Sequence, residues 1–210
     1  FYKLGCVPNL KDFRDHQLPG VLMATAAQFP RKHSILRYFS DRYDQGLANS
    51  CVGNMWGGMY RLIDVKQGGT NIQPSRLGIY YLARKLDGWE GFDGGASIRS
   101  GAKAIVNPGV IPEEFWPYDL SKINVQPTDK AIQEAALHQA LEYLAVQQNN
   151  GAIKAALFAD YPVGFGMTLY QNFQSNETLR TGKVQQPQGS IIGGHAMFMS
   201  GWDDDTGEWE

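Results

Sequence analysis

The sequence predicts an α+β protein of two lobes, and three observations carry that reading. Apolar residues recur at helical spacing through the first half, they alternate at strand spacing through the second, and no βαβ unit repeats. Residues 1–28 stand apart as an arm. They mix turn formers (Gly5, Pro8, Asn9, Pro19, Gly20), charges (Lys11, Asp12, Arg14, Asp15) and scattered apolar side chains without sustained period, so they are expected to lie on something else. The body of the protein is expected over residues 29–210.

After Cys51, the residues Val52, Met55, Trp56, Met59, Leu62 and Ile63 follow a helical stripe that Gly68 and Gly69 end. A second helix is expected from Pro74 to Leu86, with Pro accepted in its first turn. A third follows GFDGG, from about Ser97 to Val106. Next come a Pro- and aromatic-rich crossing, VIPEEFWPYDLS, a short helix in DKAIQEAALHQ, a strand in LEYLAV and a helix over 151–158. In PVGFGMTLY, Val163, Phe165, Met167 and Leu169 alternate with Gly164, Gly166, Thr168 and Tyr170. That is a strand with one packed face and one bare face. HAMFMSGWDDDTGEWE reads as a strand, a turn over 203–207 and the start of a returning strand.

With 210 residues and 43% hydrophobic content the chain can bury a sizeable core. A net charge of −2, no basic block and no apolar run of about eighteen residues argue against nucleic-acid and membrane partners. No metal-ligand spacing is present, and no cofactor motif. The two cysteines, Cys6 and Cys51, allow one disulfide at most, so the core must hold without a disulfide framework.

A single cysteine is most often a small buried hydrophobe, but Cys51 opens a helix. There the free backbone N–H groups and the positive end of the dipole favour a thiolate and can also hold an oxyanion. Such a nucleophile needs a proton carrier. His16 and His33 stand among charged neighbours and His138 in an Ala- and Gln-rich helix, where all three read as solvated. His195 lies between Gly193-Gly194 and the apolar run AMFM, at the start of a buried strand. It also reads as a hydrogen-bonded core histidine.

Together these residues resemble the papain-like cysteine peptidases. Cys51 precedes His195 by about 144 positions, within the roughly 130–150 expected in that family. Gln45, six residues before Cys51, matches the family's oxyanion glutamine. Asp93-Gly94-Gly95 looks like the loop that pairs with substrate backbone, and GGHAMFMSGWD like the histidine strand. Ala48 and Val52 stand where the family often has Cys and Trp, which suggests a divergent, disulfide-poor member of bacterial or viral type. The family's orienting Asn has no match before the chain ends at Glu210, so an incomplete domain is expected.

The resemblance implies a papain-like fold with an active-site cleft between the lobes, and a cysteine endopeptidase acting on peptide or protein substrates without metal or cofactor. Cys51, His195 and Gln45 would be catalytic. Gly94, Gly95 and Gly194 would meet substrate backbone, and Gly164, Gly166 and Ala196 would line a roomy, uncharged side-chain pocket. Two other readings stay open: a catalytically silent peptide-binding relative, and a related thiol amidase or acyltransferase. Part of the arm is expected across or beside the cleft, limiting access to Cys51; its alternative role is a belt that stabilises one lobe.

Overall fold

A computed structural model of the protein describes residues 3–10, 12–19, 29–39 and 41–210. In chain order the elements are β1 (Cys6–Val7), β2 (Lys32–Ser34), α1 (Cys51–Lys66), α2 (Arg76–Asp87), β3 (Ala96–Ser97), α3 (Ile98–Val106), α4 (Asp129–Ala135), α5 (Asn150–Phe158), β4 (Val163–Tyr170), α6 (Asn176–Thr181), β5 (Ile191–Met199), β6 (Gly201–Asp203) and β7 (Glu208–Trp209). Helices dominate the first half and the long antiparallel pair β4–β5 the second, the α+β arrangement expected from the periodicities.

Local chemistry accounts for most helix boundaries. Ser75 caps α2 by accepting from the Gly78 N–H, and Gly88 ends it at φ 86°, a left-handed conformation that costs glycine little. Pro74 therefore lies just outside the helix instead of in its first turn. Ser97, Thr128, Asn149 and Ser175 cap α3, α4, α5 and α6 in the same way. α1 is the exception: its N-cap, Ser50, makes no side-chain bond to the helix N–H groups.

α1 is the central element. Val52, Met55, Met59 and Leu62 are buried along it; the first three join Leu77, Tyr80, Ile111 and Trp116 in packing that runs on to Ala196 of β5, and Leu62 packs in a second cluster with Ile35, Leu157 and Trp202. Each fully buried aliphatic side chain contributes about 1.5–3 kcal/mol. Gly53 lets α1 and α2 approach closely, since a Cβ there would sit 2.4 Å from the Arg76 carbonyl oxygen. The sheets are small: β1 pairs parallel with β3, β4 antiparallel with β5, and β6 antiparallel with both β2 and β7.

Two sequence expectations need correction. Residues 141–146 form no strand; Ala145 makes one isolated bridge, to Gln17 of the arm, and Leu141 is 97% exposed. Among the described residues no strand lies alongside to extend that bridge into a ladder. His33 is not solvated: its ring lies between Trp202 and Phe158, with Nε2 2.9 Å from the Leu157 carbonyl oxygen. The arm does lie on the body, through Cys6–Val7 and Gln17, although the arm residues Phe1, Tyr2, Val21, Leu22 and Met23 fall outside the described residues.

Candidate active site

Cys51 is the first residue of α1 and 1% exposed. Its sulfur faces backbone N–H groups from four residues: Cys51 and Val52 of the helix start, Ala196 of β5 and Gly5 of the arm. These donors draw the thiol pKa down, but burial outweighs them and the thiol is held above its ordinary value. The Ala196 contact brings β5, the strand that also carries His195, to the helix end. Burial pushes the His195 pKa down, and its Nδ1 is enclosed without a hydrogen-bond partner among the described residues. The ring stands 6.0 Å from that of Phe173. Both shifts favour a neutral thiol and a neutral imidazole in this covered state.

Gln45 is buried and donates its side-chain amide to two carbonyl oxygens, those of Lys3 and Ala48, each at 2.8 Å.

The arm continues along the cleft. Its Gly5 carbonyl accepts from the Ala96 N–H at 2.9 Å, and Cys6–Val7 lies in parallel register with Ala96–Ser97. Contact is close enough that side chains are excluded. A Cβ on Gly5 would come 2.0 Å from the Asn49 oxygen, and one on Gly194 2.4 Å from the Cys6 oxygen. Lys3 pairs with Asp93 at 3.4 Å, and Arg99 grips Asp15 through Nε at 3.0 and 3.1 Å.

Gly95, expected to meet substrate backbone, has both its polar groups engaged internally. Its N–H donates to the Tyr80 hydroxyl at 3.0 Å and its carbonyl accepts from Trp89 Nε1 at 2.9 Å. Gly95 lies against the arm, a Cβ there falling 2.1 Å from the Gly5 carbonyl oxygen, but the bond to that oxygen comes from the next residue, Ala96, which no sequence feature marks. Gly94 instead makes room for the Phe92 ring, which a Cβ would meet at 2.5 Å. Asp93 ties this loop to the nucleophile segment: it accepts from the Asn49 N–H at 3.1 Å and from the Tyr80 hydroxyl at 2.7 Å. Burial pushes the Tyr80 phenol up, keeping it a donor. Arg84, fully buried beneath, bonds the Phe92 carbonyl at 2.6 Å.

The glycines of β4 divide in function. Gly164 admits Met55 and Met59 of α1, whose side chains a Cβ would meet at 3.0–3.1 Å. Gly166 faces the Cys6 sulfur and Ile98 at 2.9 and 3.2 Å by the same measure. Both border a cavity of about 530 Å³, lined also by Met59, Ile98, Tyr143 and Ile153. Ala196 pairs with Gly166 across the β4–β5 ladder and is buried. Among the described residues no His, Cys, Asp and Glu cluster could hold a metal ion, and no helix is long and apolar enough to cross a membrane.

No protein-family model matches the sequence. An uncharacterised peptidase C1-like protein of Acanthamoeba polyphaga mimivirus is 34% identical over 172 residues, which cover 77% of this chain and 55% of that protein. The chain therefore spans about half the length of this curated relative. The crystal structure of xylellain, a cysteine protease from Xylella fastidiosa, superposes with a TM-score of 0.86 at 27% identity, covering 98% of this chain and 82% of that one. Procathepsin B S9 from Trypanosoma congolense shares the fold at a TM-score of 0.72 and 14% identity, over 99% of this chain and 73% of that one. Fold, the meeting of Cys51 with the histidine strand, and sequence relatedness together make this chain a member of the papain-like cysteine peptidases.

Proposed function

We propose that residues 29–210 act as a cysteine endopeptidase and that the arm, residues 1–28, restrains it. The observation that carries the reading is the convergence of backbone N–H groups from α1 and β5 on the Cys51 sulfur, the β5 donor Ala196 being the residue directly after His195. His195 accepts the Cys51 proton, and the thiolate attacks the peptide carbonyl. The Gln45 amide and the Cys51 N–H stabilise the resulting oxyanion. His195 then gives its proton to the leaving amine, and water hydrolyses the thioester.

Substrate backbone takes the place of Gly5, bonding the Ala96 N–H and lying against Gly95 and Gly194. The side chain two positions before the cut enters the space at Gly166, Ile98 and Ala196, where an apolar group gains about 1.5–3 kcal/mol on full burial. The arm supports its own role as a restraint: its Lys3 carbonyl occupies the Gln45 amide, and its Gly5 N–H occupies the sulfur.

The uncharged state of the covered pair favours one other reading, a silent relative that binds peptides in the same cleft. Cleavage of an internally quenched peptide library by the full chain, with and without prior alkylation by iodoacetamide, separates the two. Alkylation-sensitive cleavage is the expected result; no cleavage by the full chain or by Gly5→Val, in which the arm is displaced, would sink the peptidase reading.

A further inference from the structure

The aromatic-rich crossing between α3 and α4 delivers one side chain to the back of the site. The Tyr118 hydroxyl donates to the Gln45 carbonyl at 2.9 Å and lies 2.5 Å from Ser50 Oγ. A phenol has one proton, so with that proton on Gln45 the Ser50 hydroxyl must donate to the Tyr118 oxygen. One oxygen atom thus joins the oxyanion glutamine to the residue directly before the nucleophile.

This link explains why α1 lacks the capping seen on α2–α6. Ser50 is fully buried and would ordinarily turn its oxygen onto the first-turn N–H groups. Here its hydroxyl is held by Tyr118 and accepts from Asn54 Nδ2 at 3.1 Å, and no side-chain cap is made. A cap of the kind seen on α2–α6 would draw the Ser50 oxygen towards the Gly53 N–H; held by Tyr118 instead, Ser50 stays tied to the Gln45 segment, while the Cys51 and Val52 N–H groups face the sulfur.

Tyr118 is itself fixed from both sides. The Arg76 guanidinium stacks 4.0 Å from its ring centroid and 4.5 Å from that of Tyr43, and Glu113 Oε1 accepts from the Tyr118 N–H at 2.7 Å. Arg76 also bonds the Asp44 carbonyl at 3.1 Å and Asn54 Oδ1 at 2.7 Å, next to the same two residues.

We propose that Tyr118 is a positioning residue whose hydroxyl sets Gln45 and the uncapped start of α1 in the register needed to hold one oxyanion between them. It rests on the peptidase reading and touches no substrate; it acts through Gln45 and Ser50. Removing the hydroxyl should therefore damage the oxyanion site while leaving the nucleophile reachable.

The test compares the full chain with Tyr118→Phe, which keeps the ring on Arg76. A quenched peptide gives kcat and KM, a peptide aldehyde probes the tetrahedral oxyanion, and iodoacetamide reports thiol access without needing the oxyanion site. Expected for the variant are a kcat lowered about tenfold, less than the 10²- to 10³-fold of a lost donor, and KM within twofold. Aldehyde affinity should fall in step with kcat, and alkylation should stay within twofold. In a Gln45→Ala background the same change should cost under about twofold, because one unit is already broken. A Tyr118→Phe kcat within twofold of the parent, a loss that adds in full to that of Gln45→Ala, or a parallel loss of alkylation would overturn the positioning role. A parent chain that neither cleaves the peptide nor binds the aldehyde would overturn the peptidase reading, and this inference with it.

Discussion

The side-chain amide of Gln45 donates to the main-chain carbonyl of Lys3 at 2.8 Å, so the chain's own arm holds the amide proposed to meet a reacting carbonyl. On the proposed reading one group serves restraint and catalysis, and its removal should move two measurements in opposite directions. Gln45→Ala is expected to lower kcat about 10²- to 10³-fold with little change in peptide affinity. It should also raise the rate of Cys51 alkylation, since the arm loses a hydrogen bond. A change in affinity alone would contradict the oxyanion assignment.

Gly5→Val is the sharpest probe of the arm, because the glycine has no room for a side chain with Asn49 so near. Expelling the arm exposes Cys51, and the burial that holds its thiol pKa up is relieved. A lower pKa means more thiolate at neutral pH. Alkylation at pH 7 should quicken about tenfold for each pKa unit recovered, and small-peptide cleavage should rise with it. Unchanged or slower rates together with a lower Tm would make the arm a structural belt.

The two cysteines should differ sharply. Cys51→Ala is expected to abolish amide hydrolysis, a loss of several powers of ten, while leaving the fold intact. Cys6, in the arm, has its thiol pushed up to about 12, mainly by burial, so it should resist alkylation at neutral pH. Cys6→Ser should keep activity. Mass spectrometry of the iodoacetamide-treated chain should find one label, on Cys51; labelling of Cys6 first would contradict this.

Acid should loosen the arm. The Asp15 carboxyl is held below its usual value by its hydrogen bonds to Arg99. A depressed carboxylate contributes stability above its unfolded pKa, about 3.9, and that contribution is lost as pH falls through the lower folded value. The protection factor of the Ala96 amide, which bonds the Gly5 carbonyl, taken against the intrinsic exchange rate at each pH, should hold at pH 6 and fall as pH drops below about 4. In Asp15→Asn it should already be lower at pH 6. Protection insensitive to that substitution would remove the clamp from the account.

Much of the fold follows from chemistry written locally along the chain. The stripe from Val52 to Leu62, the caps at Ser97 and Asn149 and the alternation of Val163–Tyr170 each act within a few residues, so pattern reading found those elements. Cys51, Gln45 and His195 could be nominated from the sequence because a helix start, a spacing and a glycine-flanked strand are sequence features. Packing settled the rest. LEYLAV reads as a strand in sequence, but among the described residues it makes a single bridge, with Gln17 of the arm. Gly95 looked like the docking residue until Tyr80 and Trp89 claimed its N–H and carbonyl. The Tyr118 link to Ser50 spans 68 residues, and Lys3 reaches Gln45 across 42. No local period encodes such pairs, because they form only when separate elements are pressed together and each buried polar group must find a partner.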